Sequence, residues 1–206
     1  MQLKIQDLGA NVPYAQALSW QEALLATNAS GETEHDTLLL LEHAPVYTLG
    51  RTADPAHLLA TRDPAIEVVA TSRGGDVTYH GPGQLVGYPI VNLRGRGLLV
   101  LEFLRLLEET LIQTLAHFGI AAGRDPRNRG VWVGENKIAA IGIRVSRGVS
   151  MHGFALNVDP DMAHFAGIIP CGLATTGVTS MRLQLGRAVP MEEVKAVYAR
   201  AFLGVF

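Results

Sequence analysis

Two residues of this chain have the types needed for nucleophilic chemistry. Cys171, the only cysteine, stands in Ile168-Ile169-Pro170-Cys171-Gly172, where proline and glycine pin the backbone and take bulk away from the sulfur. Such surroundings suit an exposed nucleophile better than a small buried core residue. A free thiol with pKa about 8.5 is only about 3% thiolate at pH 7. Lowering that pKa by about two pH units takes roughly 2.7 kcal/mol, within reach of one close cation. Lys137 is the natural cation. Arginines outnumber lysines fourteen to three (Lys4, Lys137, Lys195), and Lys137 opens the apolar run Lys137-Ile138-Ala139-Ala140-Ile141-Gly142-Ile143 after a Gly134-Glu135-Asn136 turn. A strand start is equally the place of a solvated lysine, so neither residue decides alone.

A third stretch has the shape of a ligand loop. Arg73-Gly74-Gly75-Asp76-Val77-Thr78-Tyr79-His80-Gly81-Pro82-Gly83-Gln84 holds four glycines and a proline, so the backbone turns sharply or admits something close. Arg73, Asp76, Thr78, Tyr79 and His80 add an anion clamp, hydroxyls and an imidazole. The apolar run 85–91 that follows reads as a buried strand, which makes the stretch a binding loop at the mouth of a pocket. His80, His152 and His164, with Cys171, are the candidates for zinc. Their spacing matches neither a CxxC pair nor an H-x-x-x-H helix, so a metal site is not expected. There is no phosphate-loop sequence, and Gly95-Arg96-Gly97 does not continue as a dinucleotide fingerprint.

The elements that must hold these residues are readable in outline. Leu3, Ile5 and Leu8 suggest a first strand, and a helix enters through Asn11 and Pro13 and runs to about Thr27. Residues 37–42, 46–50 and 66–70 read as strands, with a break at His43-Ala44-Pro45. Leu99, Phe103, Leu106, Leu107, Leu111 and Leu115 recur at helical spacing within 98–118, and Gly119 suits the C-terminal cap. Strands at 131–133, 137–145 and 149–158 are separated by hairpin-sized breaks. Pro190 opens a last helix through about Leu203. Strands in meandering groups, rather than strict alternation with helices, predict an α+β fold with mixed or antiparallel sheets and flanking helices. At 206 residues without repeats or linkers, 1–206 is expected to form a single catalytic domain.

Composition narrows the function classes. With 48% hydrophobic and 17% charged residues the chain is that of a globular protein with a filled core. A net charge of −2 and a pI near 6.4 give no support for nucleic acid as partner. No run of apolar residues is long enough for a membrane span, and the amino terminus lacks a signal-peptide pattern. One cysteine permits no internal disulfide, and the cytoplasm is the expected location.

Five segments together resemble the lipoyl(octanoyl) transferase family, octanoyl-[acyl-carrier-protein]:protein N-octanoyltransferases. They are Glu42–Arg51 (EHAPVYTLGR), Arg73–Gln84, Lys137–Arg144 (KIAAIGIR), His152–Val158 (HGFALNV) and Pro170–Gly172, in the family's order through most of the chain. Ala44 departs from the second proline that the family often has there. The resemblance implies a fold similar to the catalytic domains of biotin and lipoate protein ligases. It implies an acyltransferase that moves an octanoyl (or lipoyl) group from acyl carrier protein onto lipoyl domains of 2-oxoacid dehydrogenase complexes and the glycine cleavage H protein. By the resemblance Cys171 is the acyl-thioester nucleophile and Lys137 the lysine that activates it. Arg73, Gly74, Gly75, Asp76, Val77, Thr78, Tyr79 and His80 match substrate-binding stretches, as do Ala140-Ile141-Gly142 and Gly153-Phe154-Ala155. No cofactor or metal is implied. Small residues there agree with a narrow tunnel for an eight-carbon chain, each buried CH₂ contributing about 0.8 kcal/mol. The rivals are an ATP-dependent lipoate or biotin ligase, which needs no cysteine, and a non-catalytic acyl-binding protein.

Overall fold

The computed structural model describes residues 2–33, 35–126, 128–169 and 177–206. In chain order its elements are β1 Gln2–Asp7, α1 Tyr14–Ser30, β2 His35–Leu41, β3 Val46–Leu49, β4 Glu67–Ala70, β5 Val77–His80, β6 Gln84–Ile90, α2 Leu93–Arg96, α3 Val100–His117, β7 Gly123–Asp125, β8 Asn128–Val133, β9 Asn136–Ser146, β10 Val149–Asn157, β11 Gly177–Val178, α4 Met181–Leu185 and α5 Met191–Val205. A large sheet runs β1-β2-β6-β10-β9-β8-β7, with β11 beside β9, and a small sheet runs β4-β3-β5. The β1–β2, β3–β4 and β9–β11 pairs are parallel and the other pairs antiparallel. The expected α+β class with mixed sheets is the class observed.

The strands at the centre read as continuous apolar runs because both sheet faces are covered. Along β2 the pleat sends Leu38 and Leu40 to one core and Leu39 and Leu41 to another. β10 sorts the same way, with Phe154 and Leu156 on the first face and Ala155 on the second. The first face packs against α3 and α5. Phe103, Leu107, Leu111 and Leu115 are fully buried at four-residue spacing and meet Val194, Tyr198 and Phe202. At about 1.5–3 kcal/mol per buried large side chain, this stripe sets the position of α3. Leu99 departs from the helical-spacing expectation. It sits just before α3, 68% exposed, its N–H donating to the Glu102 carboxylate at 2.9 Å.

The glycine-rich stretch is less of a loop than its composition suggests. Val77–His80 is a strand, paired antiparallel with β3 from Val46↔His80 to Leu49↔Val77. Val77 and Tyr79 point into a small core with Tyr47, Ile66 and Ile168, which outweighs the turn propensity of the flanking glycines. The β9–β10 hairpin turns on Arg147 and Gly148, at φ 53° and 86°, as a two-residue turn with both positions left-handed requires.

One buried ion pair ties several elements together. The Asp36 carboxylate accepts from the Asn92 N–H (2.8 Å), Asn28 Nδ2 (3.3 Å) and Arg96 Nε (2.5 Å), and Arg96 also donates to the Phe206 carbonyl at 2.6 Å. Removing the carboxylate strands a buried guanidinium, at a cost of about 3–5 kcal/mol. Asp36→Ala is therefore expected to lower Tm by more than any exposed carboxylate replacement such as Glu32→Ala. Equal Tm values for the two variants by differential scanning calorimetry contradict this.

Candidate active site

Between the β9–β10 pair and residues 73–80 lies a cavity of about 250 Å³. Three stretches singled out in the sequence meet on its wall. Antiparallel register places Gly153 opposite Gly142, Phe154 opposite Ile141 and Ala155 opposite Ala140, and all six line the cavity. Arg73, Gly74, Gly75, Asp76, Val77, Thr78 and His80 form the facing side, and Lys137 lies at the start of β9. Of the described residues matched to substrate-binding stretches, Tyr79 alone is off the wall, its ring packed at centroid distances of 4.9 Å from His164 and 5.4 Å from Phe165. Burial there, followed by the neighbouring Tyr47 and Asp161, pushes its phenol up to about 12.

Arg73 fastens the roof of the cavity. Its Nε and Nη2 donate to the Thr48 hydroxyl at 3.0 and 2.9 Å, and Nη2 also donates to the Thr48 and Asp76 carbonyls at 2.6 Å. The guanidinium expected as an anion clamp thus staples the loop to β3. Asp76 completes the staple by accepting from the Val77 N–H at 2.7 Å and pairing with His57 Nδ1 at 2.5 Å. Beyond Arg73 the chain crosses directly over β9. The Gly74 N–H donates to the Ile143 carbonyl at 3.0 Å, and a Cβ added at Gly142 would stand 2.7 Å from the Gly74 oxygen. Gly75, at φ 89°, holds a left-handed conformation that a β-branched residue resists.

Lys137 is 7% exposed, with Nζ 4.9 Å from the Trp132 ring centroid. A register shift between Val131 and Trp132 sets Trp132 directly against Lys137, a bulge of the kind that re-aims a side chain beside a site. The lysine is not the solvated strand-start residue that its position in sequence equally allowed. Cys171 lies outside the described residues. On either side of it, the Ile169 N–H donates to the His57 carbonyl at 2.8 Å, and Val178 pairs with Lys137 in parallel register.

A relay of amides runs along the Lys137 end. Gln84 Nε2 donates to the Tyr79 carbonyl (3.2 Å), which can only accept, and to Asn157 Oδ1 (2.9 Å). Gln84 Oε1 is therefore the acceptor for His80 Nδ1 at 2.7 Å. His80 thus carries its proton on Nδ1 and keeps a bare Nε2. Asn157 donates on to the Thr179 carbonyl at 3.0 Å, and the Thr179 N–H donates to the Lys137 carbonyl at 2.9 Å. Burial, then His43, lowers His80 to about 3, opposed by Gln84. Burial lowers His43 to about 4, opposed by the Val12 carbonyl, and burial with Arg73 lowers His152 to about 4. All three imidazoles are neutral at pH 7. Among the described residues no group of three or more His, Cys, Asp or Glu could hold a metal, and His164 stands apart from His80 and His152 in the Tyr79 cluster.

Tyr14, Tyr88, Asn157 and Trp132 were not singled out from sequence, and His152 only as a zinc candidate. Tyr14, Tyr88, Asn157 and His152 line the cavity, and Trp132 backs Lys137. Their contacts join α1, β6, β8 and β10, so no local spacing announces them. His152 alone carries a structural signal, a non-glycine φ of 57°.

Two outcomes follow from this geometry. Gly142→Ala, with ordinary φ but no room for a methyl group under Gly74, is expected to lift the Arg73–Gly75 crossing and lower acyl binding at least tenfold with a Tm loss of a few degrees. Unaltered binding by isothermal titration means that the crossing does not shape the site. The neutral histidines set a pH dependence. Unfolded histidine takes its proton at about 6.5, whereas the folded His43, His80 and His152 take theirs at about 4, 3 and 4. The unfolded state binds more protons below 6.5, so stability is full above that pH and declines as pH falls toward 4. A Tm that is unchanged between pH 7 and 5 contradicts this.

A family model described as the lipoyl protein ligase A/B catalytic domain matches residues 13–203. The octanoyltransferase of Gloeobacter violaceus is 55% identical over 196 residues, covering 95% of this chain and 86% of that protein. The octanoyltransferase of Geobacter metallireducens is 49% identical over 200 residues, covering 97% and 92%. Among solved structures, a bipartite lipoate protein ligase from Thermoplasma acidophilum superposes with a TM-score of 0.65 at 17% identity, covering 99% of this chain and 82% of that one. Biotin protein ligase from Aquifex aeolicus gives 0.55 at 15% identity, covering 99% and 69%. At those identities the two structures bear on fold alone, and the fold is the one the sequence resemblance implied.

Proposed function

Because the chain belongs to the lipoyl protein ligase A/B catalytic domain family, and to the octanoyltransferases within it, we propose that it transfers an octanoyl (or lipoyl) group from acyl carrier protein, through a thioester on Cys171, to the lysine of lipoyl domains. The acceptors are those of 2-oxoacid dehydrogenase complexes and the glycine cleavage H protein, and the setting is the cytoplasm. The observation that carries this reading is Lys137, buried in the wall of a cleft between small apolar residues and next to the strand that follows the Cys171 segment. A buried lysine needs a negative partner or a proton to exchange, and a thiolate nucleophile offers both in turn.

The Cys171 thiolate attacks the donor carbonyl carbon, the carrier thiolate leaves and takes the proton of Lys137, and an octanoyl thioester remains on the enzyme. Acylation removes the negative charge beside Lys137, and the apolar wall then favours its neutral form. Neutral Lys137 takes a proton from the incoming lysine amine as that amine attacks the thioester. The amide forms, the C–S bond breaks, and the thiolate is regenerated beside a protonated Lys137. The donor thioester is already activated, so the cycle needs neither ATP nor a metal. Backbone N–H groups near Gly172 or Gly142 are the candidates for holding the tetrahedral oxyanion. The Arg73–His80 segment and the Ala140–Gly142 and Gly153–Ala155 walls hold the acyl chain.

Intact-protein mass spectrometry after exposure to octanoyl carrier protein, with and without ATP and free octanoate, tests the reading. An octanoyl adduct is expected from the carrier alone. Turnover only with ATP and free acid identifies a ligase instead, and binding without an adduct identifies an acyl-binding protein. Cys171→Ser is expected to abolish both adduct and transfer, because the hydroxyl's far higher pKa leaves no anion. Near wild-type turnover refutes the nucleophile assignment. Lys137→Arg is expected to retain part of the acylation but to stall transfer at least a hundredfold, since a guanidinium pairs with a thiolate yet does not act as a base. Normal rates for both half-reactions refute the dual role of Lys137.

A further inference from the structure

The chemistry proposed above uses one end of the cleft. β9 runs along the wall from Lys137 to Ile143, about 20 Å of extended chain, and the far end is of a different character. Ile143 pairs with His152, and the consecutive residues Thr71 and Ser72 bring Tyr14 and His152 to the same part of the wall. Both residues are sealed inside the protein, at 1% and 3% exposure. Even so, among the described residues His152 Nδ1 has no hydrogen-bond partner, and the Tyr14 hydroxyl has none beyond the Thr71 hydroxyl beside it.

A buried polar atom left unpaired is unfavourable, so the bare His152 nitrogen, with the Tyr14 hydroxyl on the same wall, calls for a ligand group. The backbone is also strained to place one of them. His152 sits at φ 57° inside β10, a left-handed conformation that a non-glycine residue resists. It is held there from both sides. The Gln21 side-chain oxygen accepts the His152 N–H at 2.7 Å, and the Ser72 hydroxyl meets Nε2 at 3.1 Å. The strand wall between this end and Lys137 is made of Ala140, Gly142, Gly153 and Ala155, none with a polar side chain.

We propose that Tyr14 and His152 form a polar terminal subsite, which halts saturated acyl chains and accepts chains whose far end carries a hydroxyl. The proposal rests on the octanoyl-transfer reading and deepens it. A saturated chain that stops short leaves water on the two polar atoms. A longer one displaces that water and buries them against a methyl group. A terminal hydroxyl both donates and accepts, so it satisfies Tyr14 together with either tautomer of His152.

The test loads carrier protein with saturated chains of increasing length from octanoyl, and with their ω-hydroxylated counterparts. Acyl-enzyme formation is then timed by mass spectrometry for the wild-type protein and for Tyr14→Phe. The saturated series is expected to collapse beyond one length. At that length the hydroxylated chain should react roughly tenfold faster than its saturated partner, and Tyr14→Phe should erase most of that ratio. Parallel saturated and hydroxylated series in the wild-type protein overturn the subsite, and that comparison decides even if the variant fails to fold. A full ratio in folded Tyr14→Phe overturns it as well. Absence of any octanoyl adduct in the wild-type protein refutes the transferase reading instead, and the two failures are distinguishable.

Discussion

The guanidinium of Arg73 is the contact on which the cleft depends. A buried charge is tolerated only when its donors are taken, and Arg73 meets that need with the hydroxyl and carbonyl of Thr48 and the carbonyls of Gly74 and Asp76. All lie on β3 or on the loop itself. Satisfying the charge therefore folds residues 73–76 back onto the small sheet and carries Gly74 across β9. Every other feature of the site assumes that crossing. It gives the cavity its roof, and it requires glycine at 142 because a methyl group would meet the Gly74 oxygen.

The large sheet supplies a floor of complementary design. Pleat parity sends alternate residues of β2, β6 and β10 to cores on opposite faces, so the strands are anchored from both sides and their register cannot slip by one residue. Fixed register brings Ala140, Gly142, Gly153 and Ala155 into adjacent places on a single surface. Small side chains on neighbouring strands open a groove that larger ones would fill, and the groove's apolar character follows from the same four residues. The bulge at Trp132 then aims Lys137 at one end of it.

What was legible in the sequence follows from how local each signal was. The spacing of Phe103, Leu107, Leu111 and Leu115 places α3 within two residues at either end, because one stripe on one helix suffices. The buried runs of β2 and β6 were equally plain. β5 was not, since the glycines and proline around Val77–His80 speak for a loop, and the pairing with β3 that overrides them comes from distant sequence. Lys137 was ambiguous for a related reason. Trp132 stands only five residues before it, but the register shift that sets the ring against the lysine is not written in the hairpin's sequence. Arg73 was noticed for its charge while its bonds to Thr48 and its own loop were not foreseen, because an arginine among glycines looks the same whether it binds a ligand or its own backbone.

The imidazoles of the cleft add no charge to those that Arg73, Asp76 and Lys137 already place on its wall. His80 and His152 line the wall and His43 packs behind His80, ring centroids 5.7 Å apart, and burial leaves each neutral at pH 7. Gln84 and Asn157 link His80 to the backbone beside Lys137 through amides and carbonyls, without an ion. That link is made of oriented dipoles rather than counter-charges. Burial, then His43, keeps His80 uncharged even though the Gln84 oxygen at its Nδ1 favours the protonated ring.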